Sequence, residues 1–397
     1  MTTNYKILGQ SAPNAGTETN LYQVPSSNST MVKSINITNR SATSDTYNIA
    51  VLNSFVSTLF VAMRSNSTNA ATSTDGITWT ERTLSASGDW TSATYGNNTF
   101  VSVSYYSNIA VSSTDGITWT TRTLPSGSWQ SVTFGNNTFV AVSGNNSTAA
   151  ASSTDGITWT ARTMPSSAIW ESAIYGNNTF VAVTKFSSKA ASSTDGITWT
   201  ARTMPSSAWW ESVTYGNNTF VAVVAYSTKA ASSTDGITWT ERTLPASRYW
   251  TSATYGNNTF VAVAGNSTTA ATSTDGITWT ARTLPVNVRW RSVTYGNNTF
   301  VAIGYNSTTA ASSTDGITWT LRTLPETPVD YRNWRSVTYG EPASSTQNKD
   351  YIAYNNTIVG NSTVSIKAGY TIPQNGGIRI TSTNGTSTFS SFGAEIA

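Results

Sequence analysis

The chain has 397 residues, enough for two or three ordinary domains or for one large β architecture with a smaller companion. Charged residues make up 10% of it and the net charge is +3, too small and too scattered for the basic stripe that nucleic acid or an anionic membrane requires. With no Cys and no His, disulfides, thiol nucleophiles, imidazole bases and the usual zinc or copper ligands are excluded, so no metal or cofactor is expected and catalysis would have to rest on carboxylates, Tyr, Lys or Ser.

In chain order, the opening MTTNYKILGQ has no apolar core of signal-peptide length, and no stretch approaches the ~20 apolar residues of a membrane span. The expectation is a soluble chain made in a cytoplasm, reaching the outside only by lysis or within a particle. Residues 1–52 carry SINITNR and TYNIAVL, which alternate like strands of a half-exposed antiparallel sheet.

From there to residue 340 the chain is repetitive. STDGITW recurs with its Asp at 75, 115, 155, 195, 235, 275 and 315, a constant step of forty. A block of the form W-x-S-x-x-Y/F-G-N-N-T-F-V stands before six of these motifs, as from Trp210 to Val221. Repeats of ~40 to 50 residues with β-type sequence predict propeller blades. Within one unit, Trp210–Tyr215 is strand A, Gly216 to Asn218 a tight turn, Phe220–Val223 strand B, Ala230–Thr234 strand C, and Ile237–Leu244 strand D after a turn at Asp235 and Gly236. Runs such as FVAV fit strands covered on both faces. The two Trp of each unit belong between blades, each contributing up to about 4 to 6 kcal/mol of burial.

The ends of the repeat set the blade count. Strand A blocks start at Trp90, Trp129, Trp170, Trp210, Trp250, Trp290 and Trp334, and strand B blocks contain Phe60, Phe100, Phe139, Phe180, Phe220, Phe260 and Phe300. The first B block, LFVAM, has no A partner before it, and the last A block, Trp334 to Tyr339, has no B block after it. Pairing these orphans closes a seven-bladed β-propeller over residues 53–340 and removes both open edges. Residues 1–52 and 341–397, the latter with YIAYNNTIV, TVSIKAG and GIRITST, are then read as the two parts of one β-sandwich with the propeller inserted in it. The fold class is all-β.

The motif STDGITW resembles the Asp-box of sialidases and many other propellers, though it lacks the residue that normally separates Asp from Gly. The resemblance implies a structural role for Asp75, Asp115, Asp155, Asp195, Asp235, Asp275 and Asp315, each accepting backbone N–H bonds in its own turn. A sialidase-like glycoside hydrolase would need an arginine cluster, a Tyr nucleophile with a Glu partner, and an Asp acid/base from different blades. Seven Arg here recur at one blade position, Arg82 to Arg322 in steps of forty, and read as scaffold. Of the other acids, Glu171 and Glu211 are equivalent, while Asp89, Glu326 and Asp330 lie in D to A connections with no evident partner. No catalytic residue is assigned.

The repeats differ from one another mainly in the B to C and D to A connections, which leave a blade at the same end. That end carries Tyr105, Tyr106, Lys185, Phe186, Lys189, Tyr226, Lys229 and Tyr305 from B to C, and Trp209, Arg248, Tyr249, Arg289, Tyr331 and Arg332 from D to A. Tyr, Trp and Arg among Ser, Asn and Gly compose adaptable recognition surfaces and suit sugars. Tyr105, Tyr106, Phe186, Trp209, Tyr226, Arg248, Tyr249, Arg289 and Tyr305 are the candidate ligand-binding residues. The competing reading is neutral drift of exposed loops.

The flanking runs ILGQSAPNAGTETNLYQVP, SINITNRSATSDTYNIAV, DYIAYNNTIV and SFGAEIA resemble a small β domain of tailed-bacteriophage virion proteins. The resemblance implies a fibre, spike or decoration protein on the particle exterior, with the sandwich bound to capsid, neck or tail proteins and the propeller facing a host surface glycan or receptor. Virion proteins of this kind often trimerise, and a homotrimer is one possibility, although no heptad is visible. The alternatives are a purely structural decoration protein and the hydrolase.

Overall fold

A computed structural model describes residues 6–11, 19–23, 29–39, 41–53, 58–326, 333–342, 348–358, 363–372, 377–382 and 387–396. Among them there is no helix, and the arrangement is all-β and propeller-like. Two compact units divide the chain: Met1–Val56 with Ser344–Ala397, and Ser57–Ala343.

The first unit has two four-stranded sheets, each drawing strands from both ends of the chain. One runs in the order Lys6–Ser11, Ser387–Ile396, Ser29–Asn39, Thr363–Ile372. The other runs Thr19–Gln23, Gly377–Ser382, Asp45–Asn53, Asn348–Ile358. The SINIT alternation appears directly: Ile35 and Ile37 are buried and Asn36 between them is only half-buried.

In the second unit each repeat gives four antiparallel strands paired in chain order, as with Trp129–Gly135, Thr138–Ser143, Ser147–Ser153 and Thr160–Ala168. Elsewhere one strand serves two repeats: Thr240–Gly256 is the last strand of one and the first of the next. The late strand Trp334–Gly340 pairs antiparallel with the early Leu59–Arg64, with Trp334 opposite Arg64 and Tyr339 opposite Phe60. The last strand of a repeat starts later than the sequence suggests, at Thr240 rather than Ile237. The reason is the Asp235 carboxylate, which accepts the N–H groups of Ile237 and Thr238 at 2.8 Å and so holds those residues in the turn.

The FVAV strand is covered on both faces. Phe220 and Ala222 pack with Val181 and Val183 of the preceding repeat, while Val221 and Val223 pack with Trp250 and Phe260 of the next. A cluster of the same kind joins Val301, Ile303 and Leu324 to Phe60, Ala62 and Trp334.

Polar bonds follow the same succession. The W-x-S serine hydroxyl accepts a backbone N–H from the next repeat, as Ser212 does from Ala253 at 3.1 Å. The series continues from Ser292 to Val337 at 3.2 Å and from Ser336 to Ala93 at 3.0 Å. At the other end, Asn217 Nδ2 donates to the Thr274 carbonyl at 3.2 Å, and Asn297 donates to Thr74 at 3.1 Å. Gly216 sits so close to the next repeat that a Cβ there would lie 1.9 Å from the Tyr255 ring. Gly236 has a left-handed backbone, φ +70°, that an L side chain rarely adopts.

Candidate binding site

The x of each W-x-S block lies beside the inter-repeat serine, near the start of the first strand of a repeat. Thr91, Gln130, Glu171, Glu211, Thr251, Arg291 and Arg335 occupy this position, and together with the seven serines they line one polar pocket to which every repeat contributes. Here the repeats become chemically unequal. The Glu171 and Glu211 side chains are almost fully buried; Lys185 Nζ lies 2.9 Å from Glu171 Oε1 and 3.4 Å from Glu211 Oε2, and Arg291 Nη1 is 2.5 Å from Glu211 Oε1. Gln130 Nε2 donates to Glu171 at 2.7 Å. Burial and the neighbouring Glu211 charge push the Glu171 carboxyl up to about 7, against the opposite pull of Lys185 and Arg291.

This pocket corrects one sequence expectation. Asp89 is not without a partner: Arg335 Nη1 is 2.9 Å from its Oδ1, and the Ser65 hydroxyl also donates to it. Glu326 is likewise engaged. Asp330, Tyr331 and Arg332 lie outside the described residues.

Most of the aromatic candidates lie together on the connections of successive repeats. The Lys185 ammonium is 4.9 Å from the Trp209 ring centre, which links the buried ion cluster to the aromatic surface. Phe186 lies 4.9 Å from Trp209, Trp209 lies 5.4 Å from Tyr226, and Tyr226 stacks on Tyr249 at 4.6 Å with an interplanar angle of 4°. The Arg289 guanidinium continues the row, 5.6 Å from the Tyr249 ring and 4.8 Å from that of Tyr305. Six of the nine candidates therefore form one continuous arc.

The other three stand apart from it. Arg248 is exposed and turned onto Thr269 Oγ1 and the Ser247 carbonyl, at 3.2 and 2.9 Å. Tyr105 and Tyr106 form a separate edge-to-face pair at 4.4 Å, with the Tyr105 hydroxyl donating to the Gly144 carbonyl at 3.2 Å. Within the arc Tyr249 is a buried support, 8% exposed, whereas Phe186 and Tyr226 are 65% and 62% exposed.

The B to C turn places one residue of each repeat in left-handed backbone, at positions 66, 106, 146, 186, 226, 266 and 306. Asn holds four of these, as expected of the non-glycine residue that best tolerates positive φ. The other three are Tyr106 (φ +55°), Phe186 (φ +56°) and Tyr226 (φ +59°), which are also the most exposed aromatic side chains among the described residues. Large rings are held in solvent at a backbone cost that Asn avoids. The alignment of the repeats contains this signal, because the same position alternates between Asn and aromatic. The ion cluster lies at the x after Trp, the position of the block that changes most in chemical character, from Thr and Gln to Glu and Arg.

The seven Asp turns are built alike. Asp235 Oδ1 accepts from Ile237, Thr238 and the Ser233 hydroxyl, and Gly236 N–H donates to Ser233 Oγ at 2.9 Å. Burial pushes such a carboxyl up, but the Thr238 and Ile237 N–H groups and the Ser233 hydroxyl outweigh it and hold Asp235 below the usual carboxylate range. One carboxylate oxygen is thus engaged three times within the turn. Among the described residues, no cluster of three or more Asp or Glu side chains presents itself to a metal.

A family model described as a DUF6242 beta propeller domain matches residues 124–249, less than half of the chain. No curated protein matches in sequence. Among solved structures, virginiamycin B lyase from Staphylococcus aureus is 11% identical with a TM-score of 0.56, over 74% of this chain and 94% of that one. A streptogramin B lyase is 10% identical with a TM-score of 0.58, over 81% and 98%. YCF48 bound to D1 peptide is 18% identical with a TM-score of 0.52, over 74% and 96%. At these identities the likeness is one of propeller fold alone.

Proposed function

We propose that residues 57–343 are a closed seven-bladed propeller acting as a saccharide-recognition module, and that the two flanking sheets are a sandwich anchoring it to a bacteriophage particle, exposed to a host surface. The closed ring is supported by the pairing of Trp334–Gly340 with Leu59–Arg64 and by the serine series returning from Ser336 to Ala93. The Asp-box reading of the seven turns is supported by their Ser and Asp bonding. The virion assignment rests on the resemblance of the flanking runs, and with it the partners: capsid, neck or tail proteins on one side and a host glycan on the other.

One observation carries the recognition reading: three exposed aromatic rings stand in left-handed backbone where the other repeats have Asn. Rings backed by Trp209 and Tyr249 suit the C–H faces of sugars, and the surrounding hydroxyl and amide groups suit their hydroxyls. A binding role is favoured over hydrolysis because Glu171 and Glu211 are committed to Lys185 and Arg291. A histidine-to-alanine variant of the staphylococcal lyase is described as catalytically inactive, and this chain contains no His.

The test is a bacterial-glycan array probed with the full chain and with Phe186→Asn/Tyr226→Asn, which restores the residue of the neighbouring repeats. Selective binding by the wild type, reduced at least tenfold in the variant, is expected. Binding unchanged in the variant would remove the arc from the account.

A further inference from the structure

Of the cations at this end, Arg248 and Lys189 bond to neutral oxygens, Arg248 to Thr269 Oγ1 and the Ser247 carbonyl and Lys189 to the Ser167 carbonyl at 3.0 Å. Lys185 and Arg291 are held by Glu171 and Glu211, Arg335 by Asp89, and Lys229 by Glu241 at 3.0 Å. Among the described residues the Arg289 guanidinium has no carboxylate within ion-pair reach; it lies between the Tyr249 and Tyr305 rings and has a single 3.5 Å contact, from Nη2 to the Tyr249 hydroxyl. Its Nε is fully covered and has no hydrogen-bond partner. A guanidinium presents a planar fork of donors matched to a carboxylate, and Arg289 is half-buried, so that its fork stays within reach of a ligand while Nε is covered. Arg289 also occupies the place, just before the first strand of its repeat, that Trp209 and Tyr249 hold in theirs, so it is set into the aromatic row itself.

We infer that Arg289 is the anion subsite of the arc and that the ligand is a carboxylate-bearing saccharide. Its carboxylate takes the Arg289 fork, and its ring lies along Tyr305 and the Tyr226 and Phe186 platforms. This rests on the recognition reading and narrows it to acidic sugars. The two tyrosines hold the guanidinium plane fixed, so that little side-chain freedom is lost when the anion arrives.

The experiment is calorimetric titration of the full chain with an oligoglucuronate and an oligosialate, each beside its carboxyl-reduced neutral form, and with a sulfated neutral galactan. At least one acidic oligomer is expected to bind tenfold or more tightly than its reduced form. Arg289→Gln should erase that difference, and Arg289→Lys, which keeps the charge but not the fork, should restore only part of it. Equal affinity for acidic and reduced forms, with both lost in Tyr226→Asn, would overturn the anion subsite while leaving the recognition face intact. Tighter binding of the sulfated galactan than of either carboxylate would overturn the carboxylate assignment. Wild-type binding to none of the five would overturn both readings. Thermal melts of the Arg289 variants at the wild-type midpoint establish that a loss of binding is not a loss of fold.

Discussion

At one end of every repeat the chain turns through GNN and STDG; at the other it turns through segments that change from repeat to repeat. The two ends are comparably solvated, yet the structure gives the constancy of the first a plain cause. Asn217 reaches across to Thr274, Asp235 closes its own turn, and Gly216 leaves no room for a Cβ against Tyr255. These residues of that end bond within their own turn or bond or pack against a neighbouring repeat, which restrains their variation. Constancy at one end is therefore no evidence that variation at the other is selected. What argues for function at the variable end is of a different kind: aromatic rings held in solvent on a backbone that disfavours them.

The largest expected effect lies at the constant end. Gly216→Ala forces a methyl group into the Tyr255 ring and should destabilise the unit by about 2 to 3 kcal/mol, read from the urea midpoint. A neutral result would mean that the repeats are not packed as closely as the distances say. Next comes the serine series. Ser212→Ala removes one inter-repeat bond and should cost about 1 kcal/mol, with Ser336→Ala costing the same. If Ser336→Ala alone is silent, the last repeat does not hold the first and the ring is open.

The two ends should also titrate in opposite directions. Glu171 has its folded value raised to about 7, so from the ordinary carboxylate range up to there the folded chain keeps a proton that the unfolded chain releases; its contribution to stability falls as pH rises through that window. The Asp turns have lowered values, so their contribution is present above the ordinary carboxylate value and is lost as pH falls below it. Stability should therefore peak near pH 5. In melts between pH 5 and 7.5, Glu171→Gln should flatten the decline and leave the acid limb untouched. An unchanged alkaline slope would show that Glu171 is ionised throughout.

Much of the second unit was legible in the sequence because its determinants are local. A step of forty, turn residues at fixed offsets and two orphan strands suffice to pair the Trp334 strand with the first LFVAM strand, and the structure adds the register, Trp334 opposite Arg64. The flanking strands were legible as alternation, but the strand order in each sheet, with both chain ends interleaved, was not readable from any single strand. The site was legible only in part. Which side chains converge on one pocket depends on how repeats are arranged around one another, so Glu171 and Glu211 read as merely equivalent and Asp89 as unpartnered. The aromatic candidates were found by composition. The division between exposed Phe186 and Tyr226, buried Tyr249 and turned-away Arg248 needed the geometry of the hairpins.

The smallest expected change in stability tests the account most directly. In the variant Tyr106→Asn/Phe186→Asn/Tyr226→Asn, three strained aromatic turns receive the residue that the other repeats use. If those rings are kept for a ligand and not for the fold, the thermal midpoint of the full chain should equal or exceed that of the wild type. A midpoint lower by several degrees would show that the rings belong to the packing, and would contradict the account.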